Sequence, residues 1–385
     1  MYIKEVSARK IQDSRGEDTI EVSVNGQKAS SPSGKSTGKY ETPCWHRSLD
    51  WNINAINKLK IPFQFNTFND LSKVEKLIKR QFNFKNVNQF GANALFALES
   101  AILKALAKSQ KKELWEIINP SLKNVKIPIP VGNVIGGGLH SHKKNHPVFQ
   151  EFLIIPKEKS IKENVNRMQI IYKKLKKVLR SKFINDEGAL EGDFDEEKIL
   201  LILSKFKDII NIGIDVAASS FYKNNSYNYN DKLLSKEEQL DYINEIIKKY
   251  NILYLEDPLQ ENDFLGFSKI LNIKNSNRKD KCLIVGDDLT ATHISRVKKA
   301  VKLKSINALI VKPNQNGSLF QLREVFDFCK KNKIKTIISH RSGETLDSAL
   351  ADYAVGFQAD FIKCGIATKW REVKLKRLIE IENSL

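Results

Sequence analysis

Three acids, two lysines and a histidine in the second half of the chain share one kind of position. Each stands where a short apolar run stops. Asp215 ends Ile212-Gly213-Ile214-Asp215, and Glu256 follows Ile252-Leu253-Tyr254-Leu255. Asp287 follows Leu283-Ile284-Val285-Gly286, and Lys312 follows Leu309-Ile310-Val311. His340 follows Thr336-Ile337-Ile338-Ser339, and Lys363 follows Phe361-Ile362. An oxygen-only set such as Asp215, Glu256 and Asp287 suits a hard divalent cation, and Mg²⁺ fills its other octahedral positions with water or substrate oxygens. Without a cation, converging carboxylates repel one another and a pKa rises. A lysine beside such a cation disfavours its ammonium form, so Lys312 is a candidate general base near neutral pH. His340-Arg341-Ser342 adds a guanidinium fork and a hydroxyl, a grip for phosphate or carboxylate.

Those residues need elements to position them. A near-continuous apolar run of four to six residues reads as a strand buried on both faces. Segments with helical signals separate the runs, which argues for βα units and parallel strands. In a closed βα barrel, functional side chains gather at the C-terminal ends of the strands. Taken singly, an Asp after a strand caps a helix or forms a turn, and a Lys there is solvated. Six such residues at the same end of six runs point instead to one shared pocket.

Length and composition set bounds. The chain has 385 residues, 41% of them apolar, which suits two domains with a sizeable core. No apolar run is long enough to span a bilayer, and Met1-Tyr2-Ile3-Lys4-Glu5 does not read as a signal peptide. Cys44, Cys282, Cys329 and Cys364 have neither zinc-site nor disulfide-framework spacing, so a reducing cytoplasm is expected. The net charge of +19 raises nucleic acid as a partner, but the lysines are spread along the whole chain. The densest run, Lys173-Lys174-Leu175-Lys176-Lys177-Val178-Leu179-Arg180, has apolar residues at helical spacing and reads as an amphipathic helix with a basic outer face. Neither a specific nucleic-acid partner nor membrane insertion is expected.

Residues 1–30 read as strands: Ile20-Glu21-Val22-Ser23-Val24 alternates, and Asn25-Gly26 is a hairpin turn. Gly34-Lys35-Ser36 lacks the glycine five residues earlier that a P-loop needs, since position 29 is alanine. The segment from Ser31 to Gly38 reads as a loop of the kind that closes over a site. Residues 53–118 read as helical, with small residues in Gly91-Ala92-Asn93-Ala94 suited to close packing. Ile127-Pro128-Ile129-Pro130 marks the start of a second domain of barrel size. Gly136-Gly137-Gly138-Leu139-His140 lacks dinucleotide spacing, and His140, His142 and His146 lack the helical metal spacing; one histidine reaching a pocket is the expectation. Asp186-Glu187-Gly188 on its own reads as a solvated loop.

Taken together, these segments resemble the enolase family. The resemblance is carried by Ala8-Arg9-Lys10-Ile11-Gln12-Asp13-Ser14-Arg15-Gly16, Ser33-Gly34-Lys35-Ser36-Thr37-Gly38, Gly91-Ala92-Asn93-Ala94 and Gln150-Glu151-Phe152. It continues through Asp215-Val216-Ala217-Ala218-Ser219, Glu256-Asp257-Pro258, Gly286-Asp287-Asp288-Leu289-Thr290 and Lys312-Pro313-Asn314-Gln315. Ser339-His340-Arg341-Ser342-Gly343-Glu344-Thr345 and Ile362-Lys363 complete it. The resemblance implies an α/β protein: an N-terminal α+β domain, residues 1–122, and a TIM-like βα barrel, residues 123–385, that begins with an atypical antiparallel strand.

It also implies Mg²⁺-dependent, reversible dehydration of 2-phosphoglycerate to phosphoenolpyruvate, a lyase reaction, with two Mg²⁺ per site. Asp215, Glu256 and Asp287 would hold the first ion, and Ser36 would help to hold the second. Lys312 would remove the proton next to the carboxylate. Glu187 would protonate the departing hydroxyl, with Glu151 beside it and His340 near the leaving group. Arg341, Ser342 and His140 would contact phosphate, and Lys363 and Gln150 the carboxylate. A homo-oligomer, a dimer or a multiple of dimers, is implied as well.

The chain departs from the family pattern on loops. Ser141-His142-Lys143-Lys144-Asn145-His146-Pro147-Val148-Phe149 replaces an alanine-glycine-asparagine run with a shorter path. Asn185-Asp186-Glu187-Gly188-Ala189-Leu190 lacks a flanking glycine on each side, and Glu41-Thr42-Pro43-Cys44-Trp45-His46 replaces an acidic stretch. These changes leave two alternatives open: a paralogue acting on another phospho or α-hydroxy acid, and a binding protein with reduced catalysis.

Overall fold

The computed structural model describes residues 1–35, 38–143, 145–230, 232–275 and 282–385 of the chain. The alternating N-terminal pattern forms three antiparallel strands, β1 (Val6–Gln12), β2 (Asp18–Val24) and β3 (Gln27–Ser30). Asn25 and Gly26 both adopt positive φ, 47° and 77°, which suits a tight two-residue hairpin between β2 and β3. Ile20, Val22 and Val24 on β2 are fully buried. They face the helix Ala92–Gln110, whose alanines allow close approach to β2 and β3. Shorter helices at Leu49–Asn57, Leu71–Phe82 and Leu114–Ile118 complete this part, as the helical reading of residues 53–118 anticipates.

Next come β4 (Ile129–Gly136) and β5 (Glu151–Pro156), a hairpin of β6 (Phe183–Ile184) and β7 (Leu190–Glu191), and β8 (Ile210–Asp215). A small antiparallel sheet of β9 (Tyr222–Lys223), β10 (Ser226–Asn228) and β11 (Leu233–Leu234) follows. The chain then runs through β12 (Tyr254–Glu256), β13 (Leu283–Gly286), β14 (Ala308–Val311), β15 (Lys335–Ser339) and β16 (Phe361–Lys363). Strands β4, β5, β8 and β12 to β16 close into an eight-stranded barrel through the β16–β4 pairing. All of its neighbours are parallel except β5, which runs antiparallel to both β4 and β8.

The strands are apolar on both faces because both are covered. Val131, Leu153, Ile155, Tyr254, Val285, Ala308, Ile310 and Ile337 fill the barrel interior, while alternate residues pack outward on the helices. The six sequence-marked residues all end a barrel strand or directly follow one. Among the described residues no helix is long and apolar enough to cross a membrane.

The three-stranded part is bonded to the barrel rim. Ser33 and Gly343 exchange backbone hydrogen bonds of 2.7 and 2.9 Å, and Ser14 N–H donates to the Glu344 carbonyl at 2.8 Å. The loop that follows β3 is therefore drawn over the ends of β14 and β15.

Candidate active site

Register places the acids. Glu151, first residue of the reversed strand β5, pairs with Asp215, last residue of β8. Asp215 pairs in turn with Glu256, last residue of β12. Three carboxylates thus stand side by side at one level of the rim, and Asp287 follows on the next strand. Reversal of β5 is what brings a strand's beginning to this end.

Glu151, Asp215 and Asp287 border a cavity of about 260 Å³. Its lining includes His140, Gln150, Glu151, Glu187, Asp215, Asp287, Lys312, His340, Arg341, Ser342 and Lys363. Glu256 lies fully buried below them and takes a 2.5 Å hydrogen bond from Tyr254 Oη. Ser36, expected to help to hold a second ion, lies outside the described residues. Of the three clustered histidines only His140 lines the cavity; His142 lies against Asp186 and Glu191 instead.

Two lysines are the counterions of the acids. Lys363 Nζ donates to Asp215 Oδ2 at 2.9 Å and to Glu256 at 2.9 and 3.0 Å. Glu151 Oε2 is 2.7 Å from the same nitrogen, an ion-pair contact without hydrogen-bond alignment. Lys312 Nζ pairs with Asp287 Oδ2. Burial alone would push both ammonium groups down, but their carboxylate neighbours outweigh it and hold both up. Burial, and then Asp215, pushes Glu256 well above the ordinary range. Burial raises Asp215 too, against the pull of Lys363. Four carboxyl groups share two ammonium groups, and the donors are all hard oxygens. Asp215, Glu256 and Asp287 therefore fit a hard divalent cation.

Asp257 shapes the loop that follows β13. It sits at φ 38°, a left-handed conformation unusual for a non-glycine residue. From there its carboxylate accepts the N–H groups of Asp287 at 3.0 Å and Asp288 at 2.6 Å. Burial and Asp287 together push the Asp288 carboxyl up to about 7.

Across the cavity lies a second group. His140 Nδ1 is 3.6 Å from Glu151 and 3.8 Å from Glu187, and His340 Nε2 is 3.7 Å from Glu187. Burial would raise the Glu187 carboxyl, but His140 and Arg371 dominate and bring it down to about 2. Burial would lower His140, but Glu187 and Glu151 raise it. Asn133 on β4 donates to Glu187 Oε2 at 3.2 Å and fixes its orientation.

Loop residues complete the lining. Ser342 Oγ accepts from Lys35 N–H at 2.7 Å. Arg341 Nη2 donates to both oxygens of Glu41, at 2.8 and 3.1 Å, and Glu41 also accepts from Gly38 N–H at 2.9 Å. Sequence reasoning assigns no role to Glu41, Asp257, Asp288 or Arg371. The acid doublets Glu256-Asp257 and Asp287-Asp288 were a usable signal for two of them. The other two are recognisable only from contacts between distant segments.

A model of the N-terminal domain of enolase matches residues 3–118, and a model of the C-terminal TIM barrel domain of enolase matches residues 124–385. The chain belongs to the enolase family. An enolase of Sulfurisphaera tokodaii is 35% identical to it, over 99% of this chain and 95% of that protein. Enolases of Archaeoglobus fulgidus and Picrophilus torridus are 33% and 34% identical, over 99% and 100% of this chain and 97% and 99% of theirs. Across the enolase family model and these relatives the match covers both the small sheet and the barrel, so this is an enzyme of the enolase type, a lyase.

Proposed function

We propose that the chain catalyses the reversible dehydration of 2-phosphoglycerate to phosphoenolpyruvate, with Mg²⁺. One observation carries this reading. A single small cavity holds a strand-end lysine, a buried glutamate from the β6–β7 turn, and an arginine–serine pair suited to phosphate.

Lys312 takes the proton from the carbon that bears the carboxylate and phosphate. Glu187 gives a proton to the hydroxyl on the next carbon, which leaves as water. Two electrons of the broken C–H bond become the new C=C bond. Arg341, Ser342 and His140 grip the phosphate, while Lys363 and Gln150 face the carboxylate. His340 lies near the leaving hydroxyl, and Glu151 stands beside Glu187. Asp215, Glu256 and Asp287 would hold the first Mg²⁺, and Ser36 would help to hold the second. When bound, the ions neutralise charge that builds on the substrate carboxylate, which matters most at the transition state.

The resting protonation states support the assignment from the hydration side. The surrounding charges favour the ammonium form of Lys312 and the carboxylate form of Glu187, the acid and base from which addition of water to phosphoenolpyruvate starts. By microscopic reversibility the dehydration direction needs the opposite states. Lys312 is charged mainly because of Asp287, and Glu187 mainly because of His140. A cation held by Asp287 and a phosphate beside His140 would each weaken that hold. The two parts of the chain, residues 1–122 and 123–385, are assigned as the domains on either side of this rim.

Absorbance at the wavelength of phosphoenolpyruvate, recorded after mixing with 2-phosphoglycerate, tests the reading. Product is expected with Mg²⁺ and not with a chelator. Absence of product in both overturns it, and turnover of some other α-hydroxy acid in its place would favour the paralogue reading.

A further inference from the structure

Arg371 is fully buried, yet its described hydrogen bonds all go to neutral acceptors. Nε donates to His340 Nδ1 at 3.2 Å, and Nη2 donates to the carbonyls of Arg341 at 3.1 Å and Ser342 at 2.8 Å. Nη1 reaches Thr368 Oγ1 at 3.3 Å. A buried guanidinium with no carboxylate among its described hydrogen-bond acceptors is expensive, so a site that keeps one has a use for it. Room for it is built in: a Cβ on Gly365 would lie 3.0 Å from Arg371 Cδ and 3.0 Å from the Glu187 carbonyl.

A guanidinium has donors and no acceptor. The nitrogen that receives Arg371 Nε–H must therefore be the bare nitrogen of the imidazole, and the single ring proton must sit on the other one. That other nitrogen, Nε2, faces Glu187 Oε2 at 3.7 Å across the cavity. The neighbouring cation also opposes a second proton on the ring: burial, and then Arg371, holds His340 well below the usual histidine range.

We infer that Arg371 is a positioning residue that locks His340 as the neutral Nε2–H tautomer and aims that N–H at the Glu187 end of the cavity. The inference rests on the proposed reaction for its purpose but not for its geometry. With this tautomer His340 is a fixed donor toward the leaving oxygen and Glu187. With the other, it would turn a lone pair toward an already ionised Glu187. Arg371 meanwhile ties down two carbonyls of the phosphate-gripping segment, so imidazole and grip are held by one group.

Long-range proton–nitrogen NMR of the whole chain with labelled histidine reads the tautomer directly, the His340 signals being identified by their loss in His340→Gln. A bare Nδ1 and a protonated Nε2 are expected. A protonated Nδ1 overturns the inference even if Arg371 variants do not fold, and it does so without reference to turnover. Arg371→Met, if its melting curve matches the parent, is expected to mix the tautomers and to lower kcat about ten- to hundredfold, the worth of one hydrogen bond involving a charge, with a smaller change in KM. Arg371→Lys is expected to recover part of the loss. A well-folded Arg371→Met that keeps both the tautomer and kcat overturns the positioning role. Should the parent prove inactive on 2-phosphoglycerate, the proposed reaction fails and the spectrum still decides the tautomer.

Discussion

Glu41 Oε2 lies 2.8 Å from Arg341 Nη2, with both side chains buried, so a carboxylate of the protein's own loop occupies the guanidinium assigned to phosphate. An incoming phosphate has to compete with it.

Glu41→Gln keeps an acceptor for Gly38 N–H but removes the charge. Inorganic phosphate, titrated calorimetrically, is expected to bind about tenfold more tightly to this variant, the effect of one charge-assisted hydrogen bond. Equal or weaker binding would show that Glu41 supports the grip and does not compete for it.

Lys312→Ala removes the proposed base and leaves Asp287 available. Turnover should fall about 10²- to 10⁴-fold, the range for loss of a positioned proton-transfer group. Exchange of the substrate C–H proton with solvent should stop, while Mg²⁺ still binds. Near-normal exchange would contradict the assignment.

Mg²⁺ should raise the melting temperature of the parent, because a ligand that binds the folded chain stabilises it by mass action. Asp287→Asn should lose most of that rise. A variant that responds to Mg²⁺ as the parent does would remove Asp287 from the ligand set.

Glu99, fully buried in the helix Ala92–Gln110, accepts Leu319 N–H at 2.6 Å, so that helix is bonded to the start of the barrel helix Leu319–Lys331. Burial and then Glu75 hold its carboxyl well above the ordinary value. The folded chain therefore binds this proton more tightly than the unfolded chain. The resulting stability is complete below the unfolded pKa and is lost as pH rises through the folded one, at up to about 1.4 kcal/mol per pH unit. Glu99→Gln keeps the acceptor and removes the titration. In urea unfolding at pH 5 and pH 8, the variant should gain on the parent as pH rises; a difference that does not change with pH would refute this.

The chemistry was legible where spacing carries it. The ends of β8, β12, β13, β14, β15 and β16 could be read because a doubly covered strand must be apolar and must stop where the polar rim begins. The direction of β5 could not be derived that way. Phe152-Leu153-Ile154-Ile155 reads the same running either way, and only the family resemblance anticipated an antiparallel strand. Arg371 was hidden for a different reason. It stands in Lys369-Trp370-Arg371-Glu372-Val373-Lys374-Leu375-Lys376-Arg377, which looks like a solvated basic helix, yet Arg371 and Lys374 are both buried. Charge pattern says how a helix would sit on water; it does not say what it is pressed against.

The Lys363 ammonium gives Asp215, Glu256 and Glu151 an internal counterion that travels with the chain. The repulsion that would spring the rim is thereby damped from within the polypeptide itself. If the proposed Mg²⁺ requirement holds, a chelator is expected to stop turnover while the melting curve still shows a folded chain.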